Sequence, residues 1–298
     1  MNETMVVGGA GFVGSHLVDR LIAEGFATDV VDDLSTGSLA NLAEARNARA
    51  SLKIHTLNVG APEFDELVSL RRPTVIFHLA LLTAAHGSSG DAITTTLAVL
   101  EAARRHSVGK VVVAVPASDL YGEAPARELP IKESRPFASP TVRGVLARSV
   151  VDLLNVFRSE FAVEHTALAM TSVYGPRQRP TDGVVAAFMA ATDAGEPMVV
   201  HGDGRQSRDL LYIDDAVDAL IRAGHRGSGL VVNVGTGTST TIRDLAALID
   251  PHAAVVTSPR RRGDLARLAV SPTRARIHLA WEPWTDLRTG LDTLRLLG

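Results

Sequence analysis

At 298 residues, 46% hydrophobic and 21% charged, the chain has an ordinary globular composition and enough length to bury an ample core. Its formal net charge of -3 provides no field for holding nucleic acid or an acidic membrane surface. Cysteine is absent, which excludes disulfides, thiolate nucleophiles and cysteine-based zinc sites, and no metal site is expected.

The first strand is expected over Thr4 to Val7, with no leader-like charged and apolar regions before it. No apolar run reaches membrane-spanning length, so a cytoplasmic location with no membrane and no nucleic-acid partner is expected. A helix over Gly11 to Glu24 follows, then strands over Thr28 to Val31 and Ser51 to Leu57. A helix over Pro62 to Ser69 precedes a strand over Thr74 to Leu79, and a helix over Ala92 to His106 precedes a strand over Lys110 to Val115. This alternation of strands and helices predicts an α/β fold, a Rossmann-type doubly wound parallel sheet. A long amphipathic helix is expected over Val142 to Glu160, then an apolar strand over His165 to Met170. After Tyr174-Gly175-Pro176-Arg177 the spacing becomes irregular, with turns at Gly202-Asp203-Gly204 and Gly235-Thr236-Gly237. The expected division is a dinucleotide-binding domain over 1–172 and a smaller C-terminal substrate lobe over 173–298, with some return of chain to the main sheet.

The most informative motif is Gly8-Gly9-Ala10-Gly11-Phe12-Val13-Gly14, directly after the first strand and opening the first helix. Glycines there permit a tight turn and close backbone approach to a pyrophosphate, and the helix N-terminus supplies N–H groups and positive dipole. Asp32 ends the second strand about 20 residues on, where a carboxylate can hold the adenosine ribose hydroxyls. Asp32 and Asp33 would repel a ribose phosphate, whereas Ser35, Thr36 and Ser38 could donate to one, so NAD and NADP both stay open.

Taken with Phe77-His78-Leu79-Ala80, Val173 to Gln178, His201 to Asp209 and Asn233 to Gly237, these motifs resemble the extended short-chain dehydrogenase/reductases. That family includes the nucleotide-sugar epimerases and dehydratases. The resemblance implies NAD(P)H on Gly8, Gly11, Phe12, Val13, Gly14 and Asp32, with Asn58 and Val59 at the adenine and Leu79, Ala80 and Leu81 along the inner face. It also implies a diphosphate and ribose near Arg208 and Arg261, although Arg260-Arg261-Arg262 reads equally well as a solvated turn pairing with Asp264.

The same resemblance exposes a departure. The family's proton chemistry uses a tyrosine, a lysine four residues later and a serine or threonine on an earlier strand. In this chain Thr141 stands at the tyrosine position and Val145 at the lysine position. The serine position falls on Ala117, or on Ser118 with a one-residue slip. Ser118 and Thr141 are therefore the candidate catalytic residues. Tyr121, Tyr174 and Tyr212 read as structural, Arg143 as a solvated helix residue and His86 as an exposed loop histidine. The segment between Ala80 and Glu101 is shorter than the family's, and its apolar start near Thr83 suits a flat hydrophobic substrate.

An absent acid and base handicaps oxidation of an ordinary sugar alcohol more than reduction of an activated ketone. The expected reaction is accordingly NAD(P)H-dependent reduction of an aromatic polyketide ketone. The departure resembles the simocyclinone-type ketoreductases of antibiotic biosynthesis, which lack the usual tyrosine. The alternatives are a nucleotide-sugar epimerase or dehydratase and a non-catalytic dinucleotide-binding module. An apolar stripe including Val145, Leu146, Val150, Leu153, Leu154 and Phe157 fits either core packing or a homodimer face.

Overall fold

The computed structural model describes residues 3–48, 51–81, 91–261 and 263–297. The first half alternates β1 (Glu3–Val7), α1 (Phe12–Ala23), β2 (Ala27–Asp32), α2 (Ala43–Asn47), β3 (Leu52–Thr56), α3 (Pro62–Arg71), β4 (Val75–His78), α4 (Asp91–Arg105) and β5 (Lys110–Pro116). A short α5 (Ala117–Tyr121), the long α6 (Val142–Phe161) and β6 (His165–Met170) complete this part. The remainder comprises β7 (Ser172–Tyr174), α7 (Val184–Asp193), β8 (Met198–His201), β9 (Ser207–Arg208), β10 (Leu210–Tyr212), α8 (Ile213–His225) and β11 (Leu230–Val234). It ends with β12 (Thr240–Thr241), α9 (Ile242–Ile249), β13 (Val255–Ser258), α10 (Thr273–Leu279) and α11 (Leu287–Leu297).

Seven strands form one parallel sheet in the order β11-β6-β5-β4-β1-β2-β3. Val6, Val30, Phe77, Val112, Leu168 and Val232 join the core that includes Leu17, Leu21 and Leu220 from α1 and α8. Their neighbours Met5, Val7, Val31, Ile76, Val111, Val113 and Ala167 join the opposite core, with Phe64, Leu100 and Val150 from α3, α4 and α6. This two-residue alternation is the pleat of a strand covered on both faces, which is why the strands read as continuous apolar runs. The sheet's winding reverses between β1 and β4, and ligand crevices in such sheets open at that point, outside the carboxyl ends of the strands.

Local chemistry sets the helix boundaries. α3 begins with Pro62 at its first turn beside Glu63 and Asp65, and carries Arg71 in its last turn, all favourable to the helix dipole. α6 starts at Thr141, whose hydroxyl accepts the Gly144 N–H at 3.0 Å. The expected apolar stripe on α6 divides: Val150, Leu154 and Phe157 are buried, whereas Val145 is 48% exposed. No described helix is long and apolar enough to cross a membrane.

The second half is assembled from two-stranded pieces, β10 with β7, β12 with β9 and β13 with β8, while β11 returns to the main sheet beside β6. Polar hubs hold these pieces. The fully buried Asp209 carboxylate accepts from Thr236 N, Thr236 Oγ1, Gly237 N and Val270 N. Asp215 likewise accepts from Trp284 N and Thr285 N, and the buried Trp281 indole donates to the Asp215 carbonyl.

Candidate active site

Two clefts of nearly equal size, about 790 and 780 Å³, lie side by side at the carboxyl edge of the sheet and share Gln178 and Asp182. The first is walled by Gly8, Gly11, Phe12, Val13 and Gly14 from the β1–α1 turn, and by Asp32, Ser35 and Thr36 after β2. Asn58 and Val59 after β3 and Leu79 to Leu81 after β4 complete it. One cleft thus collects the residues that the sequence singles out for a dinucleotide, apart from Ser38.

The turn demands its glycines. Gly8 has φ +81°, and a Cβ on Gly14 would lie 2.1 Å from the Gly8 carbonyl oxygen. A Cβ on Gly11 would meet only the Gly8 carbonyl, at 3.3 Å, so the cradle faces open cleft at that point. No side chain caps α1, whose N-cap is Gly11, which leaves its first-turn N–H groups for an anion. The turn is braced from behind by Ser38 N and Asn41 Nδ2, both donating to Ala10 O.

Asp32 is buried, with one carboxylate oxygen accepting from Ala10 N and the other from Leu34 N, both at 2.9 Å. Burial pushes its pKa up, opposed by those two hydrogen bonds. Each oxygen keeps a further lone pair for a hydroxyl donor. Asp33 accepts from both Ser35 N and Ser35 Oγ, and Asn58 Nδ2 reaches it at 3.3 Å. The Ser35 hydroxyl is therefore oriented by a carboxylate.

The second cleft is walled by Ser118, Ser172, Gln206, His201, Arg208, Arg261 and Asp264, with Phe188, Val199 and Ile242 among its apolar parts. Arg208 donates to Ser207 O, Leu265 O and Asp264, and only 17% of its side chain is exposed. Arg261 is exposed at the rim. Ala117 is fully buried, and the half-buried Ser118 next to it is the residue that lines the cleft. Thr141 caps α6 and its hydroxyl lies 3.1 Å from Ser139 Oγ, so it is already committed within the helix start. Thr83 and His86 lie outside the described residues.

All three tyrosines of the chain are buried. Tyr121 donates to Asn233 Oδ1 at 2.7 Å, and Tyr174 stacks edge-on with Tyr212. Burial raises the pKa of each, to values far above the ordinary phenol for Tyr121 and Tyr174. Lys53, Lys110 and Lys132 line neither cleft. Lys110, at the start of β5 and hence the opposite edge of the sheet, donates to Arg226 O at 2.6 Å.

Several site features carry no sequence signature. Arg177 donates to Ser15 Oγ and Asp19 and pairs with Glu44, while the His16 ring contacts Pro176 O at 3.0 Å. This clasp ties the loop after β7 to α1 across some 160 residues, and Gln178 beside it stands where the clefts meet. Asp119 and Arg143 form a second long-range pair, with Arg143 on the cofactor-cleft wall.

A parallel sheet with a glycine cradle at its switch point, opening beside a second cleft, defines a nicotinamide-dinucleotide-dependent protein. The model of the NAD dependent epimerase/dehydratase family matches residues 4–235, and the chain belongs to that family. The UDP-glucose 4-epimerase of Mycolicibacterium smegmatis is 36% identical over 307 residues, covering 97% of this chain and 96% of the relative. The structure of UDP-glucose 4-epimerase from Thermotoga maritima with UDP-glucose superposes with a TM-score of 0.91 at 32% identity, covering 99% of this chain and 100% of the other. The complex of the Thermus thermophilus UDP-glucose 4-epimerase with NAD gives 0.89 at 28% identity, covering 98% and 99%. The cofactor is accordingly NAD or NADP.

These likenesses overturn the expectation of a polyketide ketoreductase, because they run through the C-terminal part of the chain as well as the dinucleotide half. The ketoreductase expectation rested on a few side chains at two element ends and on the segment between Ala80 and Glu101, of which 82–90 lies outside the described residues. The described substrate cleft also differs from a flat apolar slot, presenting guanidinium, amide and imidazole groups of Arg208, Arg261, Gln206 and His201.

Proposed function

We propose that the chain is an NAD-dependent enzyme acting on a UDP-sugar, of the 4-epimerase or dehydratase type. The observation that carries this is the joining of the two clefts at Gln178 and Asp182, which lets a substrate in one face a dinucleotide in the other. Gly8, Gly11, Phe12, Val13 and Gly14 would hold the pyrophosphate, and Asp32 the adenosine ribose. Asn58 and Val59 would flank the adenine, with Leu79, Ala80 and Leu81 against the inner half. Two adjacent carboxylates, one already occupying the Ser35 hydroxyl, disfavour a 2′-phosphate and favour NAD over NADP. Arg208 and Arg261 suit the diphosphate of the sugar nucleotide, since a guanidinium fork matches phosphate oxygens.

Bound NAD supplies a hydride acceptor and donor. The chain's own contribution is positioning: the Arg177 clasp fixes the substrate lobe against α1, and Ser118 places a hydroxyl at the cleft wall. All three phenols are buried and raised in pKa, Tyr174 at the wall of the second cleft included, so none exchanges a proton readily near neutrality. Turnover about 10²–10⁴-fold below that of an enzyme with a positioned acid or base is expected. UDP-glucose and UDP-galactose should each raise the melting temperature in the presence of NAD, with slow interconversion followed by chromatography. Absence of stabilisation by any UDP-sugar would sink the proposal.

A second reading, a dinucleotide-binding module without catalysis, is favoured by the burial of Tyr121, Tyr174 and Tyr212. Any interconversion above the uncatalysed background removes it.

A further inference from the structure

A substrate that meets the dinucleotide where the clefts join brings its reacting carbon to Gln178 and Asp182, the residues common to both walls. Each still offers a hydrogen-bond acceptor. Gln178 Nε2 donates to Val173 O at 3.0 Å, an orientation that this carbonyl imposes on the amide. The buried Oε1 is left with no donor among the described residues. Val173 and Gly183, against which the amide head packs, line the substrate cleft alone, so the head lies on that side.

One carboxylate oxygen of Asp182 accepts from Arg179 Nε at 2.7 Å and the other from Thr181 Oγ1 at 3.0 Å. Each keeps a further lone pair, and the side chain, 25% exposed, is open to a ligand. The surrounding cations are engaged. Arg177 pairs with Asp19 and Glu44, Arg143 with Asp119, and Arg208 with Asp264. Arg179, one residue from Gln178, faces Asp182, which offsets its charge. The hydroxyls of Ser118, Thr171 and Ser172 on the substrate wall both donate and accept, so they do not discriminate. A sugar hydroxyl can donate to either acceptor at the junction. A sugar carboxylate is an acceptor only, and there it meets a like charge whose counter-cation is already paired.

We propose that Asp182 selects an uncharged sugar: beside Gln178 it accepts the hydroxyls of a neutral UDP-hexose and, by offsetting Arg179, turns away a UDP-uronate. The selection works by repulsion as much as by attraction. This assignment rests on the UDP-sugar reading and narrows it to one substrate class.

Calorimetry in the presence of NAD compares UDP, UDP-glucose and UDP-glucuronate on the wild type. Failure of all three to bind overturns the UDP-sugar reading and this assignment together. UDP-glucose is expected to bind about tenfold more tightly than UDP-glucuronate, the scale of one unfavourable charge contact at a partly exposed site. Asp182→Asn, which removes the charge and releases Arg179, should bring the two within about threefold, mainly by tightening UDP-glucuronate, with UDP unchanged. Asp182→Glu should keep the preference. Arg179→Gln gives the converse in a chain that retains Asp182, because an unopposed carboxylate widens the gap. Equal wild-type affinities for the two sugars, or a ratio that neither Asp182→Asn nor Arg179→Gln moves, overturn the assignment and leave the UDP-sugar reading standing.

Discussion

The sheet-forming half and the second half, built of two-stranded pieces, hold their cleft residues by different means. In the first, the glycine turn, Asp32 and Leu79 each follow a buried parallel strand, so the hydrophobic effect that builds the sheet also places them. In the second, the strands other than β11, which returns to the main sheet, are two to four residues long, and placement depends on polar hubs and long-range pairs: Asp209, Asp215, Arg208 with Asp264, and the Arg177 clasp. A site carried by a sheet should be sensitive to shape, and a site carried by hubs to the loss of single polar groups.

The sharpest way to break this contrast lies in the glycine turn. Gly14→Val places a side chain where even a Cβ would lie 2.1 Å from the Gly8 carbonyl, so loss of NADH binding and of about 4 kcal/mol or more of stability is expected. Retained binding in fluorescence titration would show that the turn adapts. In the lobe, Asp209→Ala leaves four donors without their acceptor and should cost about 3 kcal/mol. UDP-sugar binding should disappear while NADH binding persists; simultaneous loss of both would mean that the two halves do not respond separately.

Acidification tests the sheet from its other edge. His165, at the start of β6, is fully buried, and burial holds its pKa near about 4 against an ordinary 6.5, while His78 at the end of β4 is held at about 3 for the same reason. Each stays neutral in the folded chain but gains a proton on unfolding below pH 6.5, so stability falls as pH drops from 6.5 toward the folded values. Unfolding free energies of wild type and His165→Leu should therefore diverge in favour of the variant as pH falls, by about 2–3 kcal/mol at pH 4.5. A constant difference from pH 7 to 4.5 would show that His165 is protonated without cost. The smallest effect is expected at Thr141, where Thr141→Val removes the α6 cap and about 1 kcal/mol. A large fall in turnover at that modest loss would assign its hydroxyl to the substrate instead.

Most of the sheet was legible because the apolar runs and their flanking helices obey local periodicities, so the strands over Lys110 to Pro116 and His165 to Met170 lie close to where pattern alone puts them. The substrate class was not legible. It was inferred from Thr141 and Val145 at one helix start, Ala117 and Ser118 at a strand end and the short apolar segment after Ala80, and a few local features constrain a pocket far less than the rest of the chain does. The Asp119–Arg143 pair was not legible for a related reason: its members stand 24 positions apart, and nothing near either in sequence reveals the other.

By itself the sequence determined the parallel α/β architecture, the glycine turn and the nicotinamide dinucleotide, since these depend on contiguous patterns and on backbone conformations that glycine alone tolerates. Only the tertiary structure decided that Ser118 faces the cleft while Ala117 is buried, that all three tyrosines are in the core, and that Gln178 stands between two clefts. Those facts arise from contacts between segments distant in the chain, where burial and hydrogen bonding, rather than local propensity, set the position and charge of a side chain.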